Sequence, residues 1–101
     1  MDKKIAEAVL KRANGFCEHC GRSGDLTLHH RKLKSRGGKD SVSNLIAVLH
    51  ECHLYDIHAN PQRAEEMGWM CPSWQNAEDH PLRTPEGNVV RLTNEGSYEN
   101  I

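Results

Sequence analysis

The sequence predicts a small α+β fold in which two short strands and a helix bring histidines together. Three observations predict it. The segment Leu26-Thr-Leu-His-His30 alternates as a strand and ends in paired histidines. Leu45-Ile-Ala-Val-Leu49 is a short apolar run of strand length. A stretch from about Glu51 to Ala59, beginning Glu51-Cys-His53, then reads as a helix that Asn60-Pro61 ends.

The remaining elements follow in chain order. Asp2 to Ala13 reads as a helix with Ile5, Ala8, Val9 and Arg12 on one stripe; Asp2 caps its start and Asn14-Gly15 ends it. Phe16 to Gly24 is a knuckle carrying Cys17-Glu-His-Cys20. The segment from Arg31 to Ser43 is a loop, because Gly37-Gly38 interrupts any period and its like charges would repel in a helix. Asn60 caps a further helix with Pro61 at its first position and Gly68 just past its end. The tail from Trp69 to Ile101 reads as irregular strand, with a hairpin about Thr84-Pro-Glu-Gly-Asn88 and apolar Val89, Val90 and Leu92. Trp69 and Trp74 are expected to cover the core.

At 101 residues, 37% of them hydrophobic and only one a Phe, the chain has material for one thin core. We read residues 1–101 as a single domain, its motif core at about 12–60 and a C-terminal extension at about 61–101. No apolar run approaches the roughly 18 residues of a membrane span, and Met1-Asp-Lys-Lys-Ile5 lacks the apolar stretch of a secretion signal. The expectation is a cytoplasmic protein without membrane contact. In that setting four cysteines, two of them at Cys-x-x-Cys spacing, favour zinc over disulfides.

The net charge of −1 conceals an asymmetry. Residues 1–40 hold ten Lys/Arg against five acids, and residues 41–101 hold three against nine. The run Arg31-Lys-Leu-Lys-Ser-Arg-Gly-Gly-Lys39 places five positive charges directly after His30. Arg31, Lys32, Lys34, Arg36 and Lys39 are therefore the candidate contacts to a phosphate backbone.

His29, His30, Asn44 and His53 can hold one divalent cation beside one general base, the equipment that phosphodiester hydrolysis needs. Adjacent residues on a strand point to opposite faces, so His29 and His30 divide the two roles. A free imidazole titrates near pH ~6.5, which suits a base at neutral pH.

Cys17-Glu-His-Cys20-Gly21, Leu28-His-His-Arg31, Gly37-Gly38, Ser43-Asn44-Leu45 and Cys52-His53 together resemble the HNH nuclease family, over roughly residues 12–60. Ile57-His-Ala-Asn-Pro61 through Met67-Gly-Trp69 looks like the phage-type subgroup often found beside DNA-packaging genes. The resemblance implies the ββα-metal, treble-clef-like fold and a metal-dependent DNA endonuclease leaving 5′-phosphate and 3′-hydroxyl ends. It assigns His29 and His53 to the catalytic cation (Mg²⁺, Mn²⁺, Ni²⁺ or Zn²⁺), His30 to the general base, and Asn44 to tying down the loop and fixing the base. DNA is the implied partner, with phage packaging (terminase) proteins a further one, and the chain is expected to be a monomer or weak dimer. Some members carry a third histidine four residues after the last motif His. Here His58 lies five after His53, off-face in a regular α-helix, so it is expected not to ligate.

Members with cysteines usually carry two Cys-x-x-Cys pairs. Here Leu49 occupies the place of one cysteine, leaving Cys17, Cys20 and Cys52. The fourth ligand of a structural zinc is then His50 or Cys71, His50 being favoured, and His19 is expected to face solvent. The alternative is a set of reduced cysteines in the core. The rival to an enzyme is a non-catalytic zinc-knuckle module that docks on nucleic acid or on a protein; a base beside a metal ligand argues for the enzyme.

Overall fold

A computed structural model describes residues 1–101. Helix α1 (Lys3–Ala13) begins where Asp2 accepts the Lys4 amide and stops at Asn14, whose left-handed backbone returns its amide to Leu10. Strands β1 (Leu26–His30) and β2 (Leu45–Leu49) form an antiparallel pair, with Leu26 opposite Leu49 and His30 opposite Leu45. Every residue of β2 is buried, because it is covered on both faces. Its odd-numbered Leu45 and Ala47 pack with Val9, Ala13 and Val42 against α1. Its even-numbered Ile46 and Val48 join a larger cluster with Ile57, Ala64, Trp69, Met70, Leu82, Val90 and Leu92. This is period-two alternation with an apolar layer on each side.

The β1–β2 connection is a loop with two 3-10 turns, Lys34–Arg36 and Val42–Asn44. Gly38 is required here: a Cβ would lie 1.7 Å from the Lys32 carbonyl oxygen. After β2 the chain enters a π-helix, Cys52–Ile57, and then α2 (Pro61–Met67), capped by the Asn60 side chain at the Arg63 amide. Gly68 ends α2 at φ 83°, where a Cβ would lie 2.0 Å from the Pro81 carbonyl oxygen.

The tail is more ordered than the expected irregular strand. Strands β3 (Leu82–Arg83), β4 (Val89–Leu92) and β5 (Tyr98–Asn100) form an antiparallel meander. One hairpin turn lies at Thr84–Asn88 as expected; a second, at Thr93–Ser97, closes with the Thr93 amide bonded to the Ser97 carbonyl. Trp69 is buried in the core, but Trp74 is 82% exposed, a correction to the expectation that both indoles cover it. The sum is the α+β architecture of a ββα core with a leading helix, a further helix and a C-terminal sheet. No helix is long and apolar enough to cross a membrane.

Glu18 and Arg12 tie these parts together. Arg12 lies on the buried stripe of α1 and forks onto the Glu18 carboxylate with two bonds of 2.8 Å. Glu18 also accepts the Ala47 amide and, at 2.5 Å, the Tyr98 hydroxyl. Helix, knuckle, β2 and β5 thus meet at one buried carboxylate.

Candidate active site and cysteine cluster

His29 and His30 leave β1 in different directions, as strand alternation requires. His29 is 2% exposed and opposes Ile46, on the side where the π-helix packs. Its Nε2 lies 2.9 Å from the Trp69 carbonyl oxygen. A carbonyl only accepts, so Nε2 carries the proton and Nδ1 keeps its lone pair. Burial, with smaller contributions from neighbouring histidines, holds the His29 pKa down at about 4. The ring is therefore neutral at pH 7, as a metal ligand must be.

Beside His29 stand His53 and His58, whose ligand nitrogens lie with that of His29 within 4.8 Å of one another. The ring centroids of His29 and His53 are 4.8 Å apart, and those of His29 and His58 are 5.5 Å apart. Burial, then the His58 charge, lowers the His53 pKa. The sequence reading set His58 aside because five residues do not return to the same face of an α-helix. The local structure is a π-helix, in which the His58 amide reaches the His53 carbonyl at 3.3 Å. An i to i+5 turn brings His58 onto the face of His53, the rings meeting edge to face with their Nε2 atoms 3.0 Å apart. Ile57, which holds the α-helical place, instead fills the core.

His30 faces the loop. Its Nε2 lies 2.6 Å from the Asp40 carboxylate, and the hydrogen bond from His30 is the leading cause that lowers the Asp40 pKa. Sequence reasoning missed Asp40. The available signal was an acid directly after Gly37-Gly38-Lys39 and four residues before Asn44. Asn44 is buried, and its side-chain hydrogen bonds go to the loop backbone and not to His30. Its Oδ1 accepts the Lys32 amide at 2.7 Å, and its Nδ2 donates to the carbonyls of Lys32 and Lys39 at 3.0 and 2.9 Å. One amide thus clasps both ends of the loop.

The loop's charges do not form one free cationic face. Arg31, expected at the phosphate backbone, is fully buried. Its guanidinium donates to the carbonyls of Gly68, Ser43 and Ala77 at 2.7, 3.0 and 3.0 Å, and to that of His80. The correction has a steric cause: after His30 the chain pairs with Asn44 and Cys71 through the Arg31 amide and carbonyl, which turns the side chain inward. Burial lowers its pKa to about 10, so it stays charged at pH 7. Lys34 lies 3.4 Å from Asp40 and Arg36 3.4 Å from Glu65. Lys34, Arg36 and Lys39 are exposed, and Lys32 is half-buried. Lys32, Gly37, Gly38 and Lys39 border a polar hollow of about 220 Å³, with Glu78 also on its wall.

The second donor cluster comprises Cys17, His19, Cys20 and Cys52, all with ligand atoms within 4.8 Å of one another. The fourth member is His19, not His50 or Cys71. His50 is exposed at the end of β2. Cys71 is buried elsewhere, its thiol directed at the carbonyls of Pro72 and Gln75 at 3.6 and 3.4 Å. His19, expected in solvent, has a side chain only 7% exposed, packed on Trp69 at 4.0 Å between ring centroids. Both of its ring nitrogens are buried without a hydrogen-bond partner, although the Asp56 carboxylate lies 3.4 Å from Nε2. Orphaned imidazole nitrogens beside three thiols suit a tetrahedral Cys₃His zinc site. Burial raises the Cys20 pKa, but hydrogen bonds from Arg22 outweigh it and bring that thiol below its ordinary value. Cys52 is pushed up to about 12 by burial, with adjacent Cys20 adding to it.

Residues 17–55 match the family described as HNH endonuclease. The chain is also 27% identical over 73 residues to the type IV methyl-directed restriction enzyme EcoKMcrA of Escherichia coli (strain K12). That alignment covers 63% of this chain and 26% of the relative, so the chain spans about a quarter of that relative's length. The paired histidines on β1, Asn44 before β2 and His53 on the helix after it all fall inside the matched segment. Over residues 17–55 the chain is thus similar, in sequence and in the ββα arrangement of its elements, to the HNH endonuclease family.

Proposed function

We propose that this protein is a metal-dependent DNA endonuclease in which His29, His53 and His58 hold one divalent cation and His30 is the general base. One observation carries the reading: the ligand nitrogens of three imidazoles converge within 4.8 Å, next to a strand position whose histidine is held by a carboxylate. The cation would polarise a phosphoryl oxygen and offset charge on the departing oxygen. His29, locked by Trp69, and the edge-to-face pair His53 and His58 would hold it. His30 would accept a proton at Nδ1 from water attacking phosphorus; the bond from phosphorus to the 3′-oxygen breaks, and that oxygen leaves with a proton from solvent. The products would carry 5′-phosphate and 3′-hydroxyl ends.

Lys32, Lys34, Arg36 and Lys39 would meet the DNA backbone, a sequence-indifferent contact. Cys17, His19, Cys20 and Cys52 would hold a structural zinc that stiffens the knuckle against β2. Only strand cleavage is taken over from the family; methyl direction belongs to the longer relative. Residues 1–101 are read as one nuclease domain acting in the cytoplasm, the host's if the chain is phage-encoded. A chain with one such centre would nick, and cutting both strands would need a second copy or a partner such as a packaging protein. A non-catalytic zinc module would have no use for the contact between His30 and Asp40.

The test is incubation of supercoiled plasmid with Mg²⁺, Mn²⁺, Ni²⁺ or EDTA, using wild type and His30→Ala. Nicking that needs metal and is lost in the variant supports the proposal. Equal nicking by both proteins, or none by either, sinks it.

A further inference from the structure

The motif reading gives His30 a role and Asn44 a role, but it names nothing that touches the His30 ring. The structure supplies that contact. His30 Nε2 is 2.6 Å from Asp40 Oδ1. Asp40 in turn sits on a backbone segment that Asn44 holds, because the Asn44 amide donates to the carbonyl of the preceding residue, Lys39, at 2.9 Å. Lys34 lies 3.4 Å from the same carboxylate oxygen on the loop's other limb. Asp40 therefore has a fixed backbone and a fixed partner, though its side chain is 31% exposed.

We infer that Asp40 is a positioning residue for the general base, and that Asn44 acts on His30 through it. The inference rests on the nuclease reading. A carboxylate at Nε2 selects the tautomer with the proton on that nitrogen, since an ionised carboxylate only accepts. The lone pair is then left at Nδ1, the nitrogen that must take the proton of the attacking water. Without Asp40 the ring turns about its side-chain torsions and samples both tautomers, so the fraction of encounters with Nδ1 correctly aimed falls. A misplacement of about 1 Å can cost on the order of a hundred-fold in rate.

The experiment has two arms, on wild type, Asp40→Ala, Asp40→Asn and Asp40→Glu, with folding checked by circular dichroism. In the first, single-turnover nicking of supercoiled plasmid is measured at saturating Mn²⁺ and protein, with Mn²⁺ affinity and DNA affinity measured separately. Asp40→Ala should slow nicking by about ten- to a hundred-fold. Its Mn²⁺ affinity should stay within about two-fold, its DNA affinity should not fall because the carboxylate removed lies beside Lys34, and Asp40→Glu should recover part of the rate. In the second, long-range proton–nitrogen spectra of the imidazoles are recorded with Mg²⁺ near pH ~8, where free imidazole is neutral. His30, identified by loss of its signals in His30→Ala, should show the proton on Nε2 in wild type and a mixture in Asp40→Ala.

A wild type that nicks while Asp40→Ala keeps its rate removes the positioning role and leaves the nuclease reading intact. A wild type that cuts with no metal removes both. A His30 proton found on Nδ1 in wild type overturns the inference whatever the cleavage result.

Discussion

His53 and His58 present their Nε2 atoms to each other at 3.0 Å across one turn of a π-helix. An α-helix would have turned His58 away and brought Ile57 round; the wider turn gives the histidine to the site and the isoleucine to the core. His58→Ala should weaken Mn²⁺ binding about ten-fold or more, with little loss of stability because His58 is exposed. Isothermal titration and thermal melts separate the two effects. Unchanged affinity would place His58 outside the metal centre.

His19 should behave as a zinc ligand. His19→Ala is expected to lose stoichiometric zinc and to melt lower, because metal affinity and folding are linked. His50→Ala and Cys71→Ala should retain one zinc per chain. Elemental analysis of the purified proteins reads the difference directly, and a metal-replete His19→Ala protein would contradict the assignment.

Arg31 should matter to stability rather than to DNA. Its removal takes a donor from four carbonyls; Ala77 keeps the His80 amide, but those of Gly68 and Ser43 are buried and left with none, each at a cost of about 1–3 kcal/mol. Against a typical total of about 5–15 kcal/mol, Arg31→Ala should leave little folded protein at 37 °C. Arg31→Lys should not rescue it, because one ammonium lacks the fork that spans these carbonyls. Urea denaturation measures the loss.

The exposed loop cations should show the opposite pattern. Lys34→Ala with Arg36→Ala is expected to keep the urea midpoint nearly unchanged. DNA affinity should fall, and its salt slope should shrink by about one to two charges. Binding isotherms over a range of KCl concentrations test this, and an unchanged slope would move the DNA contact elsewhere.

Tyr98 gives a pH dependence whose sign can be worked out. Burial, then the charge of Glu18, raises its pKa above the ordinary value. A raised native pKa means that the native state holds a proton the unfolded chain has already released. The contribution is full below pH ~10 and is lost as pH rises beyond it. Tyr98→Phe should therefore flatten the alkaline fall in stability seen in wild type. Equal slopes in the two proteins would place the effect on other groups.

The sequence alone determined the local elements and their order. Alternation in Leu26–His30 and the apolar run Leu45–Leu49 named both strands, Asp2 and Asn60 named two helix starts, and the opposite directions of the His29 and His30 side chains followed from strand geometry. These are properties of neighbouring residues, which a chain expresses wherever it folds. Tertiary structure decided what spacing could not. Whether five residues return to one face depended on the π-helix at Cys52–Ile57. Whether His19 or His50 joined the cysteines depended on Trp69 closing over the knuckle. Whether Arg31 met a phosphate or four carbonyls depended on the approach of Gly68, Ala77 and His80 from the C-terminal extension. Whether an acid met His30 depended on a loop whose two limbs Asn44 ties together, which leaves Asp40 2.6 Å from the ring. Each outcome turned on contacts between segments distant in sequence or on local helix geometry, and residue spacing encodes neither a packing partner nor the pitch of a turn.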